Sequence, residues 1–505
     1  MHQGPRLGQW YHIDIITIRK LNPLSNCRGG LSIYNCMLAV GSLPLAAQCM
    51  SPSLTIRSMR TLRSARRFRG PGYTQSVYRG KRWFTVLGIE SSCDDSSVAI
   101  LNIPRDGTPS LPFHGKVTAD TTKYLGINPI TAFQAHRRNL SPLIQSALPY
   151  LPNGCKPDIV AVTRGPGMIS SLDVGLQTAK GLALAWGVPL VAVNHMQAHA
   201  LTVRLCKALE GQGLDNPRYP FLSLLVSGGH TMIVLSRGLT DHEILADTID
   251  TAVGDCLDKA ARVIVPDDIV KSMKDTNYGK MLEEFSSMSE SQLEYEVSKP
   301  DIIGSQIEEQ YGWKLPIPLV GTKKEGHRGL MKFSFAGLRS SVDRLVEAKK
   351  SIDGKGWTSI EERKALASEV MRRCWEHLAS RVMMSIDIMR RKDVEVGTLV
   401  VSGGVASNGF LRQVLRKQLD FHGHQQLELA FPPIEFCTDN AAMIAWTGYE
   451  MYKAGFESTM EIAPFRKWSL SSLEKTNEDI ERDWEENAFG ILNVSGWKPR
   501  GSSST

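Results

Sequence analysis

Two histidines four residues apart, His195 and His199 in NHMQAHAL, follow directly on the apolar run VPLVAV. Asn194 is a helix-capping residue type, which puts both histidines in the first two turns of a helix and on one face of it. Two imidazoles so placed can grip one ion. Taken alone, the spacing more often means that one imidazole packs and the other meets water. A strand ending just before the pair strengthens the metal reading, because open α/β sheets gather their sites at strand ends. The zinc-protease pattern HExxH needs a glutamate after the first histidine; Met196 stands there and cannot accept a proton. Two histidines leave an ion under-coordinated, so a carboxylate is expected from elsewhere. Asp439 in CTDNAAM qualifies by position, although capping the helix that follows is the commoner use of such an aspartate.

Glycine turns supply a second kind of chemistry. SGGHT (227–231) and SGGVASN (402–408) each follow an apolar strand, and GPG occupies 165–167. Glycines there let backbone N–H groups come close to phosphate oxygens, and a helix start adds its positive end. Singly such turns are weak signals; together they suggest a nucleotide between two lobes. None fits GxxxxGK[ST], which disfavours a P-loop ATPase. Asp94 and Asp95 in SSCDDS could bind a cation, orient water or take a proton, or simply serve the turn. Asp258 in DTAVGDCLDKAARVI could reach a ribose hydroxyl or face solvent. His136, Arg137, Arg138 and Arg339 could contact phosphates or form charged helix faces.

These residues need a scaffold, and the pattern of the chain supplies one. VLGIE, a polar turn and SVAIL read as a hairpin; about 135 residues later LSLLV, SGGH and TMIVL repeat the scheme. Mixed strand and helix segments follow each hairpin, so two related α/β lobes are expected. Helical periodicity marks 130–148 and SLDVGLQTAKGLALAWG, closed by Gly187. Ser359 and Glu362 form a capping box for a long helix with the apolar line Leu366, Val370, Cys374, Leu378, Val382 and Ile386. The expected division is a leader 1–84, a first lobe 85–215, a second lobe 216–467 with an insertion-like segment 266–330, and a peripheral tail 468–505.

The chain has 505 residues, 42% of them apolar and 22% charged, as in ordinary globular proteins. Its formal charge of +7 comes from the leader, where residues 1–84 carry 13 Lys/Arg against the single acid Asp14; the remainder has 46 basic and 51 acidic side chains. From Met50, itself a candidate start, the leader is rich in Arg, Ser and Thr and free of acids. That is the character of a mitochondrial transit peptide; a disordered basic tail or a nuclear signal is the alternative. Nine scattered cysteines without a CxxC argue against a disulfide framework and a cysteine zinc site. The longest apolar stretch, MLAVGSLPLAAQCM, is too short and broken to span a bilayer.

Seven segments occur in order: VLGIESSCDDSSVAIL, TRGPGMISSLDVGLQTAKGLA, VNHMQAHAL, LLVSGGHT, FSFAGLRSS, VVSGGVASNGFLR and FCTDNAAMIAW. Over roughly residues 86–455 they closely resemble the tRNA N6-adenosine threonylcarbamoyltransferases, and the leader points to the mitochondrial branch. The resemblance implies the actin-like, sugar-kinase-like ATPase fold, an α/β architecture of two RNase H-like lobes around a central cleft. It implies transfer of threonylcarbamoyl from threonylcarbamoyl-AMP to N6 of adenosine 37 in tRNAs reading ANN codons, in the mitochondrial matrix. It further implies one divalent ion per subunit, iron or zinc, on His195, His199 and Asp439. Substrate contacts fall at Leu225, Val226, Ser227, Gly228, Gly229, Asp258 and Asn408, and Asp94 or Asp95 is the candidate base.

Implied partners are tRNA, a separate synthase that makes the donor, and a second copy of the chain in a homodimer. No membrane partner is expected. Arg372–Arg373 to Arg390–Arg391 is a candidate tRNA patch or an ordinary charged helix face. The sequence departs from the family pattern in two places: SCDD stands where many members have SCDE, and after DKAARVI the usual YPGGP is missing, with Tyr278 and Gly279 as possible remnants. A small-molecule kinase of the same fold and a non-catalytic nucleotide- and tRNA-binding scaffold are the rival readings. Histidine ligands argue against the kinase, because magnesium prefers oxygen.

Overall fold

Short runs of Val, Ile and Leu bounded by glycine or small polar residues become strands here, while longer runs with three-to-four periodicity become helices. The computed structural model describes residues 83–121, 124, 126–152, 156–272, 277–286, 297, 302–319, 330–351, 359–471 and 487–500. The expected leader therefore lies outside the described residues apart from Trp83 and Phe84, and the expected insertion and tail do so in part.

In the first sheet β1 (Trp83–Glu90), β2 (Asp95–Pro104) and β3 (Ser110–Thr118) form an antiparallel meander. On the other side of β1, β4 (Ile159–Gly165) and β5 (Leu190–Asn194) run parallel to it. The helices α1 (Pro129–Ala147) and α2 (Ile169–Trp186) make the crossovers. The second sheet repeats the plan: β6 (Phe221–Val226), β7 (Thr231–Ser236) and β8 (His242–Thr248) form the meander. The short β9 (Lys332–Phe333) adds to its edge, and β10 (Thr398–Ser402) and β11 (Glu428–Ala430) run parallel to β6. With β9 and the other added edge strands left out of the count, both sheets have the core order 3-2-1-4-5. This duplicated order is that of the actin-like, sugar-kinase-like ATPase fold, and the repeated hairpin in the sequence was its visible trace.

The connecting helices are α3 (His195–Leu209), α4 (Val253–Ile264), α5 (Asp267–Ser272), α6 (Tyr278–Ser286), α7 (Ile302–Tyr311) and α8 (Ala336–Ser351). The long α9 (Ile360–Arg391), α10 (Gly409–Phe421), α11 (Ile434–Cys437) and α12 (Ala441–Lys453) follow. At the start of α9 the Ser359 hydroxyl accepts the Glu362 N–H at 3.1 Å. The expected apolar line from Leu366 to Val382 is fully buried against the second sheet's core. Each such leucine or valine contributes about 1.5–3 kcal/mol by leaving water.

One difference from the expected division is clear. α12 packs on β1, β2 and β4 of the first sheet, and β12 (Phe456–Ser458) pairs with β5 and with β15 (Trp497–Pro499). The chain thus returns to the first sheet well before residue 467. Of the 13 residues of α12, 10 are buried, so its pattern carried no directional face from which its sheet could be read. Gly88 and Gly448 admit the close approach: a Cβ on Gly88 would meet Ala445 at 2.9 Å, and one on Gly448 would overlap Ala161. Residues 467–469 (β13) pair with 487–489 (β14), and Trp468 is buried beneath Arg164, so this stretch is anchored rather than peripheral.

A core containing Val86, Val193, Leu225, Val400 and Ala441–Trp446 joins the two sheets through α3 and α12. Of the 15 residues of α3, 13 are buried in that junction. Among the described residues no helix is long and apolar enough to cross a membrane.

Candidate metal centre and cleft

The strand β5 delivers the chain to the junction, and Asn194 turns it into α3. Its side-chain oxygen accepts the N–H groups of Met196 at 2.9 Å and Gln197 at 3.1 Å. That cap fixes the first turn and aims both imidazoles at one point. Nε2 of His199 lies 3.0 Å from Oδ1 of Asp439, and Nε2 of His195 lies 3.4 Å from the same oxygen. The rings meet edge to face with centroids 4.6 Å apart. One ligand atom from each of His195, His199 and Asp439 fits within a 4.8 Å spread. Capping α12 falls to Asn440, which accepts the Met443 N–H at 3.0 Å, so Asp439 is left to face the histidines.

The chemistry of this donor set fits a borderline divalent ion such as zinc or iron(II): two buried imidazole nitrogens and one half-buried carboxylate. A further carboxylate, overlooked in the sequence, completes the arrangement. Glu90, fully buried at the end of β1, lies 3.3 Å from Nδ1 of His195, accepts the Ser92 N–H at 2.6 Å and accepts the Thr163 hydroxyl. A carboxylate behind a ligating histidine fixes its ring and raises its basicity.

Burial opposes charge on His195, but Asp439 and Glu90 outweigh it and raise its pKa to about 10. Burial likewise pushes Glu90 and Asp439 up, yet the charge and hydrogen bonds of His195 hold Glu90 below its ordinary value, and those of both histidines hold Asp439 well below its own. The site therefore demands a positive charge, which a proton on His195 meets and a divalent ion would meet by displacing that proton.

Two turns flank the cluster. In the first, Asp95 forms an ion pair with Lys116 at 3.1 Å and accepts the Thr118 hydroxyl, while Lys116 also donates to Thr438 Oγ1 at 2.8 Å. Asp95 is thus committed to holding β3 and the Asp439 turn. Asp94 has no such cation among the described residues: burial, then the charges of Asp95 and Asp439, raise its pKa to about 6. In the second turn Ser227 closes on itself, its hydroxyl accepting the N–H of Gly229 at 3.3 Å and of His230 at 3.0 Å. Gly228 and Gly229 are exposed, with nothing within 4 Å of an added Cβ. Leu225 and Val226 have their side chains in the core, so only their backbone borders the turn. His230, another residue not singled out in the sequence, senses the charges of His195 and His199; burial and those charges lower its pKa to about 4.

Asp258 and Asn408 lie on the second lobe's side, and α6 connects them. Gly279 N–H donates to Asp258 at 2.8 Å, and Glu283 accepts the Gly409 N–H at 2.9 Å beside Asn408, whose own side chain caps Leu411. Neither Gly279 nor Glu283 was assigned to the site from the sequence. The start of α4 abuts the second turn, Gly254 N–H donating to Ser227 O at 3.2 Å.

The other basic candidates divide. Arg372 and Arg373 are buried in ion pairs with Glu369 and Glu376, so they offer no charge to a nucleic acid. Arg339 pairs with Asp343, and Arg137 is exposed over the Phe133 ring. His136 is fully buried.

A duplicated α/β fold of the actin-like ATPase type, with an imidazole–carboxylate cluster at the junction and an open glycine turn beside it, defines a cleft enzyme whose centre lacks the all-oxygen ligand set of a magnesium kinase. Comparison with known proteins narrows the class. The family model for tRNA N6-adenosine threonylcarbamoyltransferase (TsaD) matches residues 115–446. The mitochondrial tRNA N6-adenosine threonylcarbamoyltransferase of Schizosaccharomyces pombe is 36% identical over 408 residues, 78% of this chain and 88% of its own. The tRNA N6-adenosine threonylcarbamoyltransferase of Sinorhizobium medicae is 33% identical over 77% of this chain and 96% of its own. That of Rickettsia bellii is 32% identical over 77% and 99%. The chain belongs to the tRNA N6-adenosine threonylcarbamoyltransferase family and is a transferase of tRNA modification.

Proposed function

We propose that this chain transfers the threonylcarbamoyl group of threonylcarbamoyl-AMP to N6 of adenosine 37 in tRNAs reading ANN codons. We place that activity in the mitochondrial matrix, carried out by a homodimer supplied with donor by a separate synthase. The observation that carries this reading is the convergence of His195 and His199 on Asp439 beside the open turn Ser227–Gly229, in a member of this family. One divalent ion per subunit, iron or zinc, held by His195, His199 and Asp439, would supply Lewis acidity to an anhydride oxygen. Glu90 orients His195 for that task.

The chain's own residues account for the rest. The backbone from Leu225 to Gly229 borders the donor, with Gly228 and Gly229 allowing close approach, and Asp258 and Asn408 take its nucleoside end. AMP is already a good leaving group. The adenine amine is a poor nucleophile because its lone pair is delocalised into the ring, so positioning supplies much of the acceleration. Asp94 receives the amine proton: its pKa of about 6 keeps it ionised at neutral pH while making it more basic than an ordinary aspartate. Asp95, tied to Lys116 and Thr118, holds the turn.

The test is to incubate the purified, metal-loaded chain with threonylcarbamoyl-AMP and unmodified tRNA and analyse the digested nucleosides by mass spectrometry. Threonylcarbamoyladenosine that disappears with His199→Ala is the expected result. No product from folded, metal-loaded protein would put the scaffold reading in its place.

A further inference from the structure

The turn that carries Asp94 is held by three consecutive backbone carbonyls, each gripped from a different direction. Ser92 O accepts the Met168 N–H at 2.9 Å, and Asp94 O accepts the Ala119 N–H at 2.9 Å. The middle carbonyl, Cys93 O, has a side chain for its partner: Nε2 of His136 at 2.9 Å. Nδ1 of the same ring lies 2.8 Å from Ser96 Oγ, one residue beyond Asp95.

A carbonyl only accepts, so Nε2 carries the proton, and Nδ1 accepts the Ser96 hydroxyl in the neutral ring. Burial lowers the pKa of His136 and keeps it neutral. His136 comes from α1, where it is fully buried between Ala132 and Leu140 on the helix's inner face. Cys93 is the residue directly before Asp94, and its thiol is raised well above its ordinary pKa by burial and by the Asp94 charge. The ring therefore pins the main chain just before Asp94, at Cys93 O, and the side chain just beyond Asp95, at Ser96 Oγ.

We propose that His136 is a positioning residue of the transferase: a neutral clamp from α1 that locks Cys93 and Ser96 and so aims the Asp94 carboxylate at the reacting amine. The proposal rests on the reading of Asp94 as proton acceptor. It differs from a packing role in its consequences. A histidine that merely filled space would be served by any side chain of similar size, and its loss would lower stability without a selective effect on turnover.

The experiment compares His136→Leu, His136→Gln, Ser96→Ala and Asp94→Asn in the full, metal-loaded chain, with kcat, KM for donor and tRNA, bound metal and Tm measured for each. His136→Leu is expected to lower kcat about 100-fold, with both KM values within about two-fold and metal content unchanged. His136→Gln can still donate to Cys93 O and is expected to recover most of that loss. Ser96→Ala, which removes only the hydroxyl that orients the ring, is expected to lower kcat several-fold at unchanged KM; it serves in place of the leucine variant should that one fail to fold. Wild-type kcat in both His136→Leu and Ser96→Ala, with Asp94→Asn inactive, would overturn the clamp and leave the base standing. Full kcat in Asp94→Asn would overturn both. Equal losses in His136→Leu and His136→Gln that follow Tm or metal content would reduce His136 to packing.

Discussion

The two hairpin turns occupy the same place in the two sheets yet are built in opposite ways. The turn between β1 and β2 is stiffened from every side: Glu90, Ser92, Cys93, Asp94 and Asp95 all engage other elements of the chain. The turn between β6 and β7 is closed mainly by its own Ser227 and leaves Gly228 and Gly229 open to solvent. Duplication gave two equivalent positions. One became a preorganised bed of carboxylates, the kind of fixed charge that the proposed transfer would use. The other kept bare backbone, where a ligand can come close. Under the proposed function, catalytic positioning falls to the first turn and substrate contact to the second, with the histidine pair of α3 between them.

The sharpest way to break this division is to remove a ligand of the central cluster. His199→Ala, or Asp439→Ala, is expected to lower activity on the order of 10³-fold with loss of bound metal, measured by elemental analysis beside the transfer assay. Full activity in a metal-free variant would end the account. Next, Glu90→Gln is expected to weaken metal binding about 10–100-fold, read by chelator competition, because the neutral amide no longer raises the basicity of the His195 ring as a ligand.

The glycines provide a third comparison. Gly403 has φ of +101° and a Cβ there would overlap the Val226 carbonyl, whereas Gly229 has no neighbour within 4 Å of an added Cβ. Gly403→Ala should destabilise the fold by roughly 2 kcal/mol or more in denaturant unfolding. Gly229→Ala should unfold like the parent but bind donor roughly 10-fold more weakly in a direct titration.

The smallest effect concerns Asp258. Burial raises its pKa to about 6, a shift only partly offset by Gly279 N–H and Arg262. A carboxyl whose folded pKa is raised binds its proton more tightly in the fold. Its stabilising contribution is complete below the ordinary aspartate pKa of about 4 and is lost as the pH rises through about 6. Asp258→Asn should therefore be more stable than the parent by about 1 kcal/mol at pH 7.5, after allowance for solvent screening, with the advantage fading by pH 4. Urea unfolding at the two pH values measures it, and an equal effect at both would show that ionisation is not the cause.

Much of this arrangement was legible before any coordinates. Spacing of four put His195 and His199 on one helix face, and Asn194 announced the helix start. Asp439 was readable by position, but only the structure gives the cap of α12 to Asn440. Glu90 escaped notice because a lone glutamate closing an apolar strand shows nothing of Thr163 and His195, which arrive from residues far along the chain. Glu283 was hidden by a departure from the family's usual loop. Arg372 and Arg373 form no surface patch: they pair with Glu369 and Glu376, three or four residues away, and here α9 is buried on its charged side as well as along its apolar line, which spacing does not announce. The place of α12 was illegible for a related reason, since a helix apolar nearly all round belongs to whichever sheet reaches it.

The most direct test of the division between the turns is a single-turnover titration of donor against Asp94→Asn and Gly229→Ala, with tRNA saturating and metal bound. The account expects Asp94→Asn to lower the limiting rate on the order of 10²–10⁴-fold with donor affinity unchanged. For Gly229→Ala it expects weaker donor affinity with a limiting rate near that of the parent. Both variants moving the same parameter, or each moving the other's, would contradict it.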